Sequence, residues 1–246
     1  MHARTKPGRY ESMTDLAFWE ELYRRTKKPS LPPVLTGFNV NLDRILPVTR
    51  ELLDPAGFCN GRLEEVRSRL ISSMQHYTAE EWIMEDPSLY ARLSSCFAGT
   101  GTITLGGQAG IAAAHLARLG APSVTCIAPS MGPDVARILR EAGVRVYGDR
   151  AGSAADTVHH IFEYAPGLIN PAQDAIPRNN RFIISPEKTG DSTILEDTLL
   201  AAFLPELADG TRAFLSGYQY LKSDEEFIRA VSQVLAIRDT GRNNRR

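Results

Sequence analysis

Nowhere in the 246 residues do 18 apolar side chains follow one another, and the amino terminus, MHARTKPGRYESM, carries no apolar segment. A membrane-spanning helix and a secretory signal peptide are therefore not expected. Cysteine is scarce: Cys59, Cys96 and Cys126 are far apart and form no C-x-x-C pair. Neither a disulfide framework nor a zinc site is expected, and a reducing cytoplasm fits best. An excess of charge of either sign is missing too. With a formal net charge of -1 the chain has no dominant field, so nucleic acid is not the default partner. Internal repeats are absent. What remains, 43% hydrophobic and 23% charged residues, describes an ordinary core-former long enough for one large domain or two small ones.

Helix and strand signals alternate along much of the chain. Thr14 reads as an N-cap, with Leu16, Trp19 and Tyr23 on one face of a helix that stops at the prolines of KKPSLPP. Val34 to Thr36 read as a buried strand. Ala109, Ala112, Leu116 and Leu119 form a helical stripe ended by Gly120, and SVTCIA reads as the next strand. Val135, Ile138, Leu139 and Ala142 repeat the pattern, with Gly143 as the stop and VRVYG as the strand. Leu199, Leu200, Phe203, Leu204 and Leu207 give a further stripe, TRAFLSG a strand and DEEFIRAVSQVLAI a last helix. Such alternation predicts a parallel sheet and an α/β architecture.

Two stretches, 52–105 and 150–190, break the alternation and are too long to be simple connections. They are expected to fold outside the core, as one shared lid. The resulting division is a helical extension over 1–30, a core built from 31–51, 106–149 and 191–237, the lid from 52–105 and 150–190, and a polar tail over 238–246. The tail, RDTGRNNRR, reads as a solvated end or a reading-frame scar.

Ligands in open parallel sheets bind beyond the carboxyl ends of the strands. GFNVNLD is expected at such an end, and the alternation of Asn39, Asn41 and Asp43 would point all three side chains the same way in an extended segment. Two amides and a carboxylate can bridge adjacent hydroxyls, since the amides donate and accept while the carboxylate only accepts. The same residues can equally cap turns and a helix. GGQAG, before the alanine-rich helix, can present bare amides to a polar ligand or simply make a tight turn. It is not a dinucleotide fingerprint, because no G-x-G-x-x-G follows a strand.

Taken in order, GFNVNLD, GGQAGIAA, HHIFEYAPG, NNRFIIS and LSGYQYL resemble the ADP-dependent sugar kinases, the glucokinase and phosphofructokinase group of the ribokinase superfamily. The resemblance runs from about Val34 to Leu221. It implies a ribokinase-like, Rossmann-type three-layer α/β core with a parallel sheet, incomplete at the carboxyl end, and a small α+β lid. It also implies phosphoryl transfer from ADP with Mg2+ to a hexose or hexose phosphate in the cytoplasm. On this resemblance Asn39, Asn41 and Asp43 are sugar-hydroxyl ligands, and Gly107 and Gln108 belong to the turn that approaches the sugar. His159 and Glu163 take the places of a family histidine and glutamate on a lid strand. Glu81 resembles a lid glutamate linked with glucose preference. Arg181 suits a sugar phosphate, or pairs with a lid carboxylate. Gln219 ends a core strand, either in contact with ligand or capping a turn.

One departure stands out. The family's G-x-G-D segment, which supplies an aspartate at the acceptor hydroxyl, occurs nowhere in the chain. The magnesium ligands and adenine-binding segment are likewise not expected within it. The expectation is either an enzyme whose remaining half comes from a second polypeptide or has been lost from the sequence, or a non-catalytic remnant or sugar-binding module.

Overall fold

The computed structural model describes residues 31–129, 131–148, 155–166, 176, 178–186, 194–207, 210–218 and 221–243. The helix read at the amino terminus and Gln219 lie outside them.

Two sheets organise the described residues. The first has the order β6-β5-β1-β9, where β1 is Val34–Phe38, β5 Val124–Ile127, β6 Arg145–Tyr147 and β9 Arg212–Ser216. All its pairings are parallel, as alternation with helices requires. On one face lie α4 (Gln108–Arg118) and α5 (Pro133–Glu141), enclosing Cys126, Ala113, Val135 and Leu139. The other face is covered by α6 (Asp197–Phe203), a single 3-10 turn at Leu204–Glu206 and α7 (Asp224–Asn243), around Leu35, Ile127, Phe203 and Ile237. This is the expected three-layer α/β core. The stripe on α5 appears as read, with Val135 and Leu139 fully buried.

On α4 the reading needs correction. Ala109, Gly110, Ala113 and Ala114 are the buried residues, whereas Leu119 is half exposed at the helix end. The helix presents its smallest side chains to β1, and a Cβ on Gly110 would come within 2.9 Å of Val40. Close approach, not bulk, is what this face supplies.

The second sheet is mixed, in the order β3-β8-β7-β2-β4. Its strands are β2 (Asn41–Pro47), β3 (Glu80–Met84), β4 (Thr102–Gly106), β7 (Val158–Tyr164) and β8 (Asn180–Pro186). β2 pairs antiparallel with β4 and parallel with β7, β7 antiparallel with β8, and β8 parallel with β3. Residues 41–47, left with the core segment in the sequence reading, thus belong here. β1 hands over to β2 within two residues, so the chain passes directly from one sheet into the other.

One face of this sheet is filled. Leu46, Phe162, Tyr164, Phe182 and Ile184 pack under α2 (Glu64–His76) and α3 (Pro87–Cys96), against Leu70, Met74 and Leu93. α3 is well specified locally: Pro87 occupies its first turn, and Asp86 accepts from the Ser88 and Leu89 amides at 2.8 and 3.2 Å. A short helix, α1 (Arg50–Leu53), and a 3-10 turn at Pro55–Phe58 complete the layer.

The cysteine expectation is overturned in the same layer, where Cys59 and Cys96 form a disulfide with their Cα atoms 6.0 Å apart. The neighbouring Phe58 and Phe97 meet edge to face at 5.7 Å, and both rings pack on Phe162. This aromatic cluster brings together two cysteines 37 residues apart in sequence. Cysteine usage therefore no longer argues for a reducing compartment. Cys126 is the buried free thiol among the described residues.

Candidate functional site

The register decides what stands on the second sheet's other face, where Asn41, His159, Ile161 and Ser185 are buried while Glu81, Glu163 and Arg181 are exposed. Strand side chains alternate, so on β2 this face carries Asn41, Asp43, Ile45 and Pro47, while Leu46 packs under α2 and α3 and Leu42 joins the cluster formed with α4 and α5. Asp43 pairs with Thr104 on β4 and with His159 on β7. Ile161 pairs with Ile183, which pairs with Glu81, and Glu163 pairs with Arg181. Asn41, Asp43, His159, Glu163, Arg181 and Glu81 therefore share one face.

At its centre the amide of Asn41 donates from Nδ2 to Asp43 Oδ1 at 2.7 Å, and to the Leu42 carbonyl at 3.2 Å. His159 Nδ1 lies 3.9 Å from the same carboxylate oxygen. Asn41 is almost wholly buried, and its Oδ1 is a buried acceptor with no hydrogen-bond partner among the described residues. A buried acceptor of this kind costs about 1 to 3 kcal/mol until a donor arrives. Hydroxyl groups are suitable donors. Asn39 sits between β1 and β2, and its carbonyl accepts from the Ala109 amide at 3.1 Å. One of the bare amides at the start of α4 is thus already engaged by the backbone.

The glycines have a geometric reason. A Cβ on Gly106 would lie 2.3 Å from both Asn41 Nδ2 and Asp43 Oδ1. Gly107 has φ +73°, a conformation that side chains rarely adopt, and its Cβ would lie 2.4 Å from the Asn39 carbonyl oxygen. The pair makes room for the polar groups of β2. Gln108, exposed, opens α4 beside them.

The expected residues do not form one cluster. Arg181 stands two strands across and four residues along from Asp43, roughly 16 Å away at sheet spacings. Arg181 and Glu163, directly opposite each other, instead line a cavity of about 530 Å3 together with Pro47 and Asn179. Among the described residues no group of three His, Cys, Asp or Glu side chains is placed to hold a metal ion.

Two residues that the sequence reading did not single out matter here. Ser185, buried on β8, donates to Glu81 Oε1 at 2.6 Å. His160 follows His159, but strand alternation turns it to the other side, where it is fully buried beneath Tyr90 and its Nε2 lies 3.1 Å from Ser94 Oγ. Burial, with a smaller contribution from the Arg44 charge, pushes the His160 imidazole down to about 4.

The sequence family can now be stated. The model of the ADP-specific phosphofructokinase/glucokinase conserved region matches residues 32–237. The chain belongs to this family. It is 30% identical over 211 residues to an ADP-specific phosphofructokinase of Methanosarcina acetivorans, covering 75% of the chain and 39% of that protein. It is 24% identical over 260 residues to an ADP-dependent glucose/glucosamine kinase of Pyrococcus furiosus, covering 90% of the chain and 56% of that protein. Among solved structures, an ADP-dependent kinase in complex with fructose-6-phosphate and ADPβS superimposes with a TM-score of 0.68 at 23% identity, over 94% of this chain and 54% of that one. The chain thus spans between two fifths and three fifths of the length of these members of the ADP-specific phosphofructokinase/glucokinase family. What the solved structure shares with this chain is the fold, an α/β core with a parallel sheet.

Proposed function

We propose that this chain carries the acceptor-sugar half of an ADP-dependent kinase acting on a hexose or hexose phosphate in the cytoplasm. The observation that carries the reading is the polar cluster on one face of the second sheet: Asn41, Asp43 and His159 converge there, and Gly106 leaves the room that the Asn41 and Asp43 side chains occupy. Asp43 accepts from sugar hydroxyls while Asn41 holds its carboxylate in place, and the free Oδ1 of Asn41 accepts from a further hydroxyl. His159 closes the other side of the same carboxylate. Asn39 and Gln108 flank the position, and Gln219 is assigned to its rim on family resemblance. ADP supplies the transferred phosphoryl group when bound, held by residues outside those described here.

No G-x-G-D occurs in these 246 residues, so the carboxylate that positions the acceptor hydroxyl for phosphoryl transfer is proposed to lie outside them, on further chain or on a second polypeptide. The edge of the core sheet offers such a segment a place to add. β9 closes the order of the first sheet on one side among the described residues, and Phe214 on it is 45% exposed. Sugar binding without transfer by the chain alone is the corresponding second reading.

Calorimetric titration of the full chain with glucose and with fructose 6-phosphate, before and after Asp43→Asn, tests the reading. A charge-assisted hydrogen bond is worth about 1.5 to 3 kcal/mol, so affinity should fall about tenfold or more. Equal affinities would return Asp43 to a capping role, and absence of binding by the unsubstituted chain would refute the function.

A further inference from the structure

The described ladder of β7 with β8 begins at His160 opposite Ile184, and one step further along the same antiparallel register places Ser185 opposite His159. Thr104, Asp43, His159 and Ser185 then stand side by side on four successive strands, all on the same face. Glu81, on the fifth strand, is out of this row. Its backbone partner is Ile183, two residues short of Ser185. The Ser185 hydroxyl nevertheless reaches its carboxylate at 2.6 Å. A flexible, exposed glutamate is thereby drawn along the sheet toward His159 by a buried, immobile donor.

We infer that Ser185 is a positioning residue for sugar recognition, fixing Glu81 as the far end of a polar row that starts at Asp43. The inference rests on the proposed function of the same face. Its physical content is entropic as well as electrostatic. Glutamate loses several rotatable bonds when it binds a ligand, and holding it beforehand removes that cost from the binding step. The hydroxyl of Ser185 donates to one carboxylate oxygen and leaves the other to accept from a sugar hydroxyl. A fixed carboxylate on this face also disfavours a phosphate placed near it, because like charges brought together oppose binding. Ser185 therefore acts on the choice between a neutral sugar and a sugar phosphate without touching either one.

The test is titration of the full chain with glucose and with fructose 6-phosphate, using wild type, Ser185→Ala, Ser185→Thr, Glu81→Gln and the Ser185→Ala/Glu81→Gln double variant. Ser185→Ala should weaken glucose roughly three- to tenfold and fructose 6-phosphate less, so that the ratio of the two affinities moves. Ser185→Thr, which keeps the hydroxyl, should restore most of the loss. In the Glu81→Gln background Ser185→Ala should have little further effect. A merely structural role of Ser185 would weaken both sugars alike and persist in that background, which would overturn the inference. Wild type that binds sugar with an affinity unchanged by Ser185→Ala would overturn it alone. Wild type that binds neither sugar would refute the proposed function, and this inference with it.

Discussion

Lowering the pH should loosen the second sheet from behind, through His160. The imidazole is fully buried between β7 and α3, beside Tyr90 and Ser94, with the Arg44 guanidinium on the neighbouring strand position. Burial first, and the arginine charge second, take it from its ordinary value of 6.5 down to about 4. The folded state thus resists a proton that the unfolded chain accepts. Stability from this residue is complete above the unfolded value of 6.5 and is lost as the pH falls toward 4, at up to about 1.4 kcal/mol per pH unit. Across the whole window the loss is on the order of 3 kcal/mol, a large fraction of a typical domain's stability. Urea unfolding of wild type and of His160→Gln at a series of pH values from 7.5 to 4 measures it, those values being chosen as roughly bracketing the window. The wild type should lose stability more steeply than the variant below the unfolded histidine value. Parallel curves, or a His160 resonance titrating near its ordinary value in the folded chain, would refute the reasoning.

Gly106→Ala would drive a methyl group into Asn41 and Asp43, so it should cost about 1 to 3 kcal/mol of stability and at least about tenfold in sugar affinity, read by thermal melts and calorimetry. Unchanged binding would show that the polar pair need not be where it is. Replacing Cys59 by serine opens the 37-residue Cys59–Cys96 link, and the chain-entropy relation gives about 3 to 4 kcal/mol of lost stability, measured by denaturant titration under oxidising conditions. A loss below about 1 kcal/mol would argue that the two segments are held by the Phe58, Phe97 and Phe162 cluster alone. The exposed Phe214 on β9 and the half-exposed or exposed Phe227, Val231 and Leu235 on α7 should make the isolated chain self-associate. Light scattering at high micromolar concentration checks this, and a monodisperse monomer would contradict it.

Much of the fold was legible because its signals are local. The stripes of α5 and α6 follow a helical period, Gly143 ends α5 in a left-handed conformation, and the alternation of Asn41 and Asp43 put them on one face before any pairing was known. What the sequence withheld is non-local. Nothing near residues 41–47 says that they leave the core sheet for β4 and β7. The Cys59–Cys96 bridge depends on an aromatic cluster assembled from three separate segments. Ser185 lies inside the quoted NNRFIIS, yet its role exists only because β3 pairs with β8 across about a hundred residues of chain. The α4 stripe misled for a different reason. Periodicity rewards large apolar residues, whereas this helix packs by its small ones.

One face of one sheet is proposed as the sugar site. Chemical-shift mapping of the isotopically labelled full chain, titrated with glucose and then with fructose 6-phosphate, tests that directly. The largest shifts should fall on Asn41, Asp43, Gly106, His159 and Glu81, while His160, one residue away on the side packed against α3, should respond weakly. Shifts confined to Glu163, Arg181 and the cavity beside them, or spread over the first sheet with the Asp43 row silent, would contradict it.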